Sequence, residues 1–210
     1  MPVTINGNGS ITGLSVGGLG AGVVNNTTLA NGAASGNKLG TGAVIQVQKT
    51  LVTAQSQITC TNGSGLSGSH DSALAVSITP TSASNIIYIN AFAFGEGNAQ
   101  DAARFSTRLK KVISGGSTSY FPEALGNRNP IFSKAGTSNV NASNTPDSFG
   151  IPNFPDIAGT TSAITYTLQF MYDGGLSSAG TYYLNRIVSD QNNTGYPNFY
   201  SWITATEVAA

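Results

Sequence analysis

Charge is what this sequence has least of. Asp, Glu, Lys and Arg together make up 9% of its 210 residues, against roughly a quarter in ordinary soluble domains. Nine basic residues balance nine acidic ones. That balance removes the electrostatic footprint of a nucleic-acid binder and any polybasic run for an anionic membrane. Ordinary disorder is excluded as well, since it joins low hydrophobicity to high net charge, and 40% of this chain is apolar. The lone cysteine, Cys60 in "SQITC", forbids an intrachain disulfide and reads as a small buried thiol. The lone histidine, His70 beside Asp71, has no G-x-S-x-G elbow to serve, so a hydrolase triad is not expected.

Other chemistries lack their groups. "GGLGAG" supplies Gly18, Gly20 and Gly22 but not the preceding strand, the third glycine or the later carboxylate of a dinucleotide site. Asp147 and Asp156 flank a long loop and could share a cation, yet no Asp-rich cluster accompanies them and solvated surface is the expected role. Nine scattered acids single out no pair for glycoside cleavage. We therefore expect no enzyme, no cofactor and no metal. The N-terminus "MPVTINGNGS" has neither a basic nor an apolar segment of a signal peptide. No apolar run approaches the ~20 residues of a membrane span, so synthesis in a cytoplasm without membrane insertion is expected.

Glycine is abundant at 26 residues, and its distribution divides the chain. Up to about residue 43, Ile11, Leu14, Val16, Leu19, Val23, Leu29 and Leu39 stand among Gly, Asn and Thr with neither a 3.6-residue nor a two-residue period. "LANGA" at Leu29 is echoed by "LGTGA" at Leu39. One copy of such a phrase cannot bury itself and needs other chains to offset an ordering cost on the order of 1 to 2 kcal/mol per residue.

From Ala43 the period is two. "AVIQVQKTLVT", "SALAVSIT", "SNIIYINAFAF", "ARFSTRLKKVI", "SAITYTLQFMY", "TYYLNRIVSD" and "NFYSWITATEV" read as strands, the third apolar on both faces like a buried strand. Breakers such as "TNGSGLSGSHDS", "SGGSTS" and "DGGLSSAG" separate them. No amphipathic helix is found. Seven or eight strands predict an all-β protein, an antiparallel jelly-roll-like β-sandwich. Residues 127–159 have little strand pattern and read as one long surface loop. The loop displays Phe132, Phe149 and Phe154 among polar residues. Either these rings form the loop's private core, or Phe149 and Phe154, with Tyr196 and Tyr200 from "TGYPNFY", stack on sugars or dock a partner.

The succession "LGTGAVIQVQKTLVT", "LAVSITPTSASNIIYI", "RFSTRL", "YTLQFMY" and "SWITATEVA" resembles the virion fibre proteins of tailed bacteriophages, particularly those of marine phages. The last segment places Ser201, Ile203, Thr204, Glu207 and Val208 on that family's terminal-strand pattern, and the resemblance covers about 29–122 and 161–210. It implies a homotrimer located in the virion. Leu29 and Leu39 would then meet on the trimer axis, and Ile11, Leu14, Val16 and Leu19 would anchor the arm on other virion proteins. The expected organisation is an attachment arm (1–28), a short repeat stalk (29–43) and a sandwich head (44–210). The head would face the host, with surface glycans as candidate ligands. A capsid decoration (cement) protein is the alternative; a glycan depolymerase and a host-side carbohydrate-binding module come after it. The short repeat favours a compact knob over a long fibre.

Overall fold

The computed structural model describes residues 4–5, 11–12, 40–61, 69–98, 104–126, 130–135, 146–172, 179–189 and 194–210. The chain divides into two units, Met1–Leu39 and Gly40–Ala210. In the first, β1 (Thr4–Ile5) pairs antiparallel with β2 (Ile11–Thr12), setting Ile5 opposite Ile11. Leu14, Val16, Leu19, Leu29 and Leu39 lie outside the described residues, as does the side chain of Ile11.

The second unit is built from β3 (Val44–Val52), β4 (Ser56–Thr61), β5 (Ser69–Ile78), β6 (Ile86–Asn98), β7 (Phe105–Ile113), β8 (Thr118–Phe121), β9 (Ser133–Lys134), β10 (Asp147–Ile157), β11 (Ile164–Tyr172), β12 (Ala179–Leu184) and β13 (Ser201–Val208). All the described pairings are antiparallel. One sheet runs β3-β13-β6 with β10 on the far edge of β6, and the other runs β5-β11-β7-β8. Numbered one to eight in chain order, these principal strands give 1-8-3-6 facing 2-7-4-5, the jelly-roll order expected from the sequence. Two additions enlarge it. β12, with β4 beyond it, pairs the last residues of β6, and β9 pairs β7 next to β8.

Alternation makes the core. Ile87, Ile89, Ala91 and Ala93 of β6, with Ile203 and Ala205 of β13, are buried beneath one sheet; Leu74, Val76 and Ile78 of β5 with Ile164, Tyr166, Leu168, Phe170 and Tyr172 of β11 are buried beneath the other. Burying each large side chain stabilises the fold by about 1.5 to 3 kcal/mol. Two glycines admit the Phe105 ring between the sheets. A Cβ on Gly97 would lie 2.5 Å from that ring, and one on Gly180 would lie 2.9 Å from it.

The structure corrects several expectations. Residues 127–159 are not one loop: β9 and the eleven-residue β10 lie within them. Pro152, Pro155 and Gly150 hide the strand, which tolerates prolines because it is an edge strand with a register shift between Ile151 and Phe154, where Asn153 takes φ 45°. His70 and Asp71 belong to β5 and not to a turn. The segment "SQITCT" is strand β4, with Cys60 buried as expected. β6 is apolar on both faces, but only one of them is core; Tyr88, Phe92 and Phe94 on the other are half-buried.

The arm junction as candidate functional site

At the start of the head, Gly40–Ala43 are tied to the C-terminus. Gly42 N donates to Ala209 O (2.8 Å), Ala209 N donates back to Ala43 O (2.9 Å), and the Thr41 hydroxyl donates to Ala210 O (3.2 Å). Behind this clamp sits Glu207, fully buried at the end of β13. Its Oε1 accepts the Thr81 amide (2.7 Å), the Thr81 hydroxyl (2.8 Å) and Asn85 Nδ2 (2.7 Å). Gln46 Nε2 of β3 donates to Oε2 (2.6 Å) and to Thr79 O (2.8 Å). Burial alone would raise the pKa of this carboxyl, but hydrogen bonds from Asn85, Gln46 and Thr81 outweigh it and hold the group below its ordinary value near 4.5. Asn85 completes the knot: its Oδ1 accepts Ala210 N (3.2 Å) and its carbonyl accepts Ala158 N (2.9 Å), just past β10.

"LGTGAVIQV", "SITPTSASN" and "TATEVA" are thus hydrogen-bonded to one another through Ala43, Gln46, Thr79, Thr81, Asn85, Glu207 and Ala209. A buried carboxylate is costly unless its oxygens are satisfied, and here two segments distant in sequence supply the donors. The arrangement fixes Gly42 and Ala43 at the start of the head. It offers no reactive group.

Beside the junction lies the outer face of the first sheet. Residues directly opposite in neighbouring strands share a face, so register assembles rows across it. Val44, Val208, Ile86 and Ile157 form the first row, on β3, β13, β6 and β10, and Val47, Thr206, Tyr88 and Pro155 form the second. Lys49, Thr204 and Asn90 follow, and then Leu51, Trp202, Phe92 and Gly150. Rings continue along the face: Trp202 and Phe92 lie 4.9 Å apart between centroids, Phe92 and Phe94 4.5 Å, Phe94 and Phe199 5.1 Å. Val44, Val47, Leu51 and Ile157 are 55%, 56%, 53% and 66% exposed. Lys49 is the one charged side chain in these rows.

The rings chosen from sequence separate. Phe149 is fully buried, edge-on to Phe170 and Tyr182, and belongs to the main core. Its sequence neighbours Ser148 and Gly150 are less buried on β10, so the surrounding sequence did not mark it as core. Phe154 is half-buried between Phe121 and Phe132. Buried Phe149 presents no free face as a glycan platform requires. Tyr196 is half-buried, and Tyr200 is 60% exposed.

The other candidates hold structure together. Burial pushes the Cys60 thiol up to about 12, leaving it unreactive near neutral pH. His70 Nε2 accepts the Thr61 amide (3.2 Å), linking β5 to β4. Asp147 and Asp156 stand at opposite ends of β10, roughly 30 Å apart at strand rise, so no one cation can join them. Asp156 is not solvated surface either. It pairs with Lys111 of β7 (2.6 Å) and accepts the Tyr166 hydroxyl (2.5 Å), bridging the two sheets. Among the described residues no group of three or more His, Cys, Asp or Glu could hold a metal.

No family model matches the sequence and no curated protein matches it. Among solved structures the chain is similar to proteins of infectious bursal disease virus. These are a chain of the Gx strain structure (TM-score 0.34, 79% of this chain and 37% of that one), VP2 in the crystal structure of its subviral particle (0.33, 79% and 37%) and a chain of the Gt strain structure (0.32, 80% and 38%), each at 11% identity. The chain spans less than two fifths of each of them, and TM-scores of this size carry no inference about function.

Proposed function

We propose that this chain is a virion structural protein of a tailed bacteriophage: a trimeric fibre or knob whose N-terminal arm anchors it on other virion proteins and whose jelly-roll head is displayed outward. The observation that supports this reading is convergence at the junction. The upstream repeat ends at the very residues that Ala209 and Ala210 clamp, and the mid-domain and C-terminal segments of the fibre-like pattern supply the buried lock behind them. A head built to be carried on an arm needs a rigid attachment point, and that is what these segments form. The protein acts by binding and assembly, not by catalysis.

Deleting residues 2–28 tests the anchor. The sandwich starts at β3, so the truncated protein should fold with an unchanged melting temperature and be missing from purified particles. Its presence there at normal copy number would place attachment elsewhere. Host-surface glycan recognition belongs to the same reading as a task of the head. Of the rings chosen from sequence, Tyr200 carries it, being the one that is mostly exposed. A capsid decoration protein would share the fold and differ in where it sits on the particle.

A further inference from the structure

We infer that the first two rows of the outer face, Val44-Val208-Ile86-Ile157 and Val47-Thr206-Tyr88-Pro155, are where a second copy of this chain packs against the head. The inference rests on the trimeric reading above and names the surface that the reading leaves open. Strand spacing makes each row roughly 15 Å long, and with the Leu51-Trp202-Phe92 row the face extends roughly 20 Å along the strands. The Lys49-Thr204-Asn90 row interrupts it, but the first two rows cluster exposed Val44, Val47 and Ile157 on one face, and clustered apolar surface of this kind is often functional. β3 adds a second invitation. Among the described residues it pairs with β13 only and so forms an edge of the sheet.

Three observations select a second copy as occupant. First, the face is aliphatic where it is most exposed, at Val44, Val47, Leu51 and Ile157; side chains of this kind bury against other side chains, whereas sugars need open ring faces. Second, the two rows carry no charged side chain, so copies can meet on them without like-charge repulsion and a foreign partner finds no charge pattern there to recognise. Third, the junction clamp fixes Gly42 and Ala43 at the end of the sheet where the Val44 row lies. Copies that meet on this row bring their Gly42–Ala43 segments side by side, which the Leu29 and Leu39 repeat needs if it is to be buried by several chains.

The experiment uses the full-length chain and its Val47→Glu and Ile157→Glu variants. The mass is followed by sedimentation across a dilution series, with circular dichroism to confirm the fold. The unaltered protein is expected to sediment as a trimer and the variants to dissociate at protein concentrations at least tenfold higher. Val47→Cys in the full chain adds a readout that needs no charge: a short bismaleimide should join it to a neighbouring chain, while Leu125→Cys, 74% exposed, should stay single and buried Cys60 should not react. A monomeric unaltered protein would overturn the trimeric reading itself. A trimer that both glutamates leave intact, or that Val47→Cys fails to cross-link, would overturn this surface while the trimer stands. Unchanged mass with lost binding to host glycan would assign the face to a receptor and also overturn it.

Discussion

Glu207 shows how one residue ties the ends of the chain together. A buried donor left unpaired costs about 1 to 3 kcal/mol, and Thr81, Asn85 and Gln46 all donate to it. Glu207→Gln keeps the shape but turns an amide NH₂ toward the donating Gln46, so a loss of about 1 to 3 kcal/mol is expected. At about 2 to 4 °C per kcal/mol for a domain of this size, that loss is readable by calorimetry. The sign with pH follows from the direction of the shift. The folded pKa lies below the ordinary 4.5, so the carboxylate's contribution is complete above that value and fades as pH falls through the folded pKa. The melting temperature of the unaltered protein should therefore drop on acidification below about pH 4.5, and that of Glu207→Gln should drop less. Parallel profiles would show that Glu207 is not held as described. Sequence placed Glu207 in a terminal-strand pattern without a reason for it. The reason is a turn more than 120 residues away, and only the fold brings the two together.

At the scale of elements, the two-residue period located β3, β5, β6, β7, β11, β12 and β13, because a strand with one face in the core must alternate. β10 escaped because an edge strand with a bulge can carry prolines where a central strand cannot. β4 escaped because Ile58 and Cys60 are too few to stand out in a Ser- and Thr-rich stretch. Alternation also says which residues share a face but not which face is covered, so the outer row of β6 looked buried. The glycines of β6 and β12 test the packing that alternation leaves unspecified. Gly97→Ala would drive a methyl into Phe105, and overpacking of this kind costs about 1 to 3 kcal/mol. Urea unfolding should show that loss in full. Gly40, whose Cβ would meet nothing within 4 Å, should accept alanine with little change. Equal midpoints for the two variants would mean that Phe105 has room to move.

At the scale of the whole molecule, the proposed reading gives separate tasks to the N-terminal segment and the jelly-roll head. Tyr200 is 60% exposed, so Tyr200→Ala should leave the melting temperature unchanged; adsorption to host cells should fall if the head reads surface sugars, and normal adsorption would remove this ring from the account. The arm's partners and the grouping of heads are read most directly from the particle itself. Electron cryomicroscopy of purified virions, with this chain located by a tag at Ala210, is the deciding measurement. The account predicts three heads around one short stalk, joined through the Val44 and Val47 faces, with residues 1–28 continuing into another virion protein. Single heads scattered on the surface, or virions that lack the chain altogether, would contradict it.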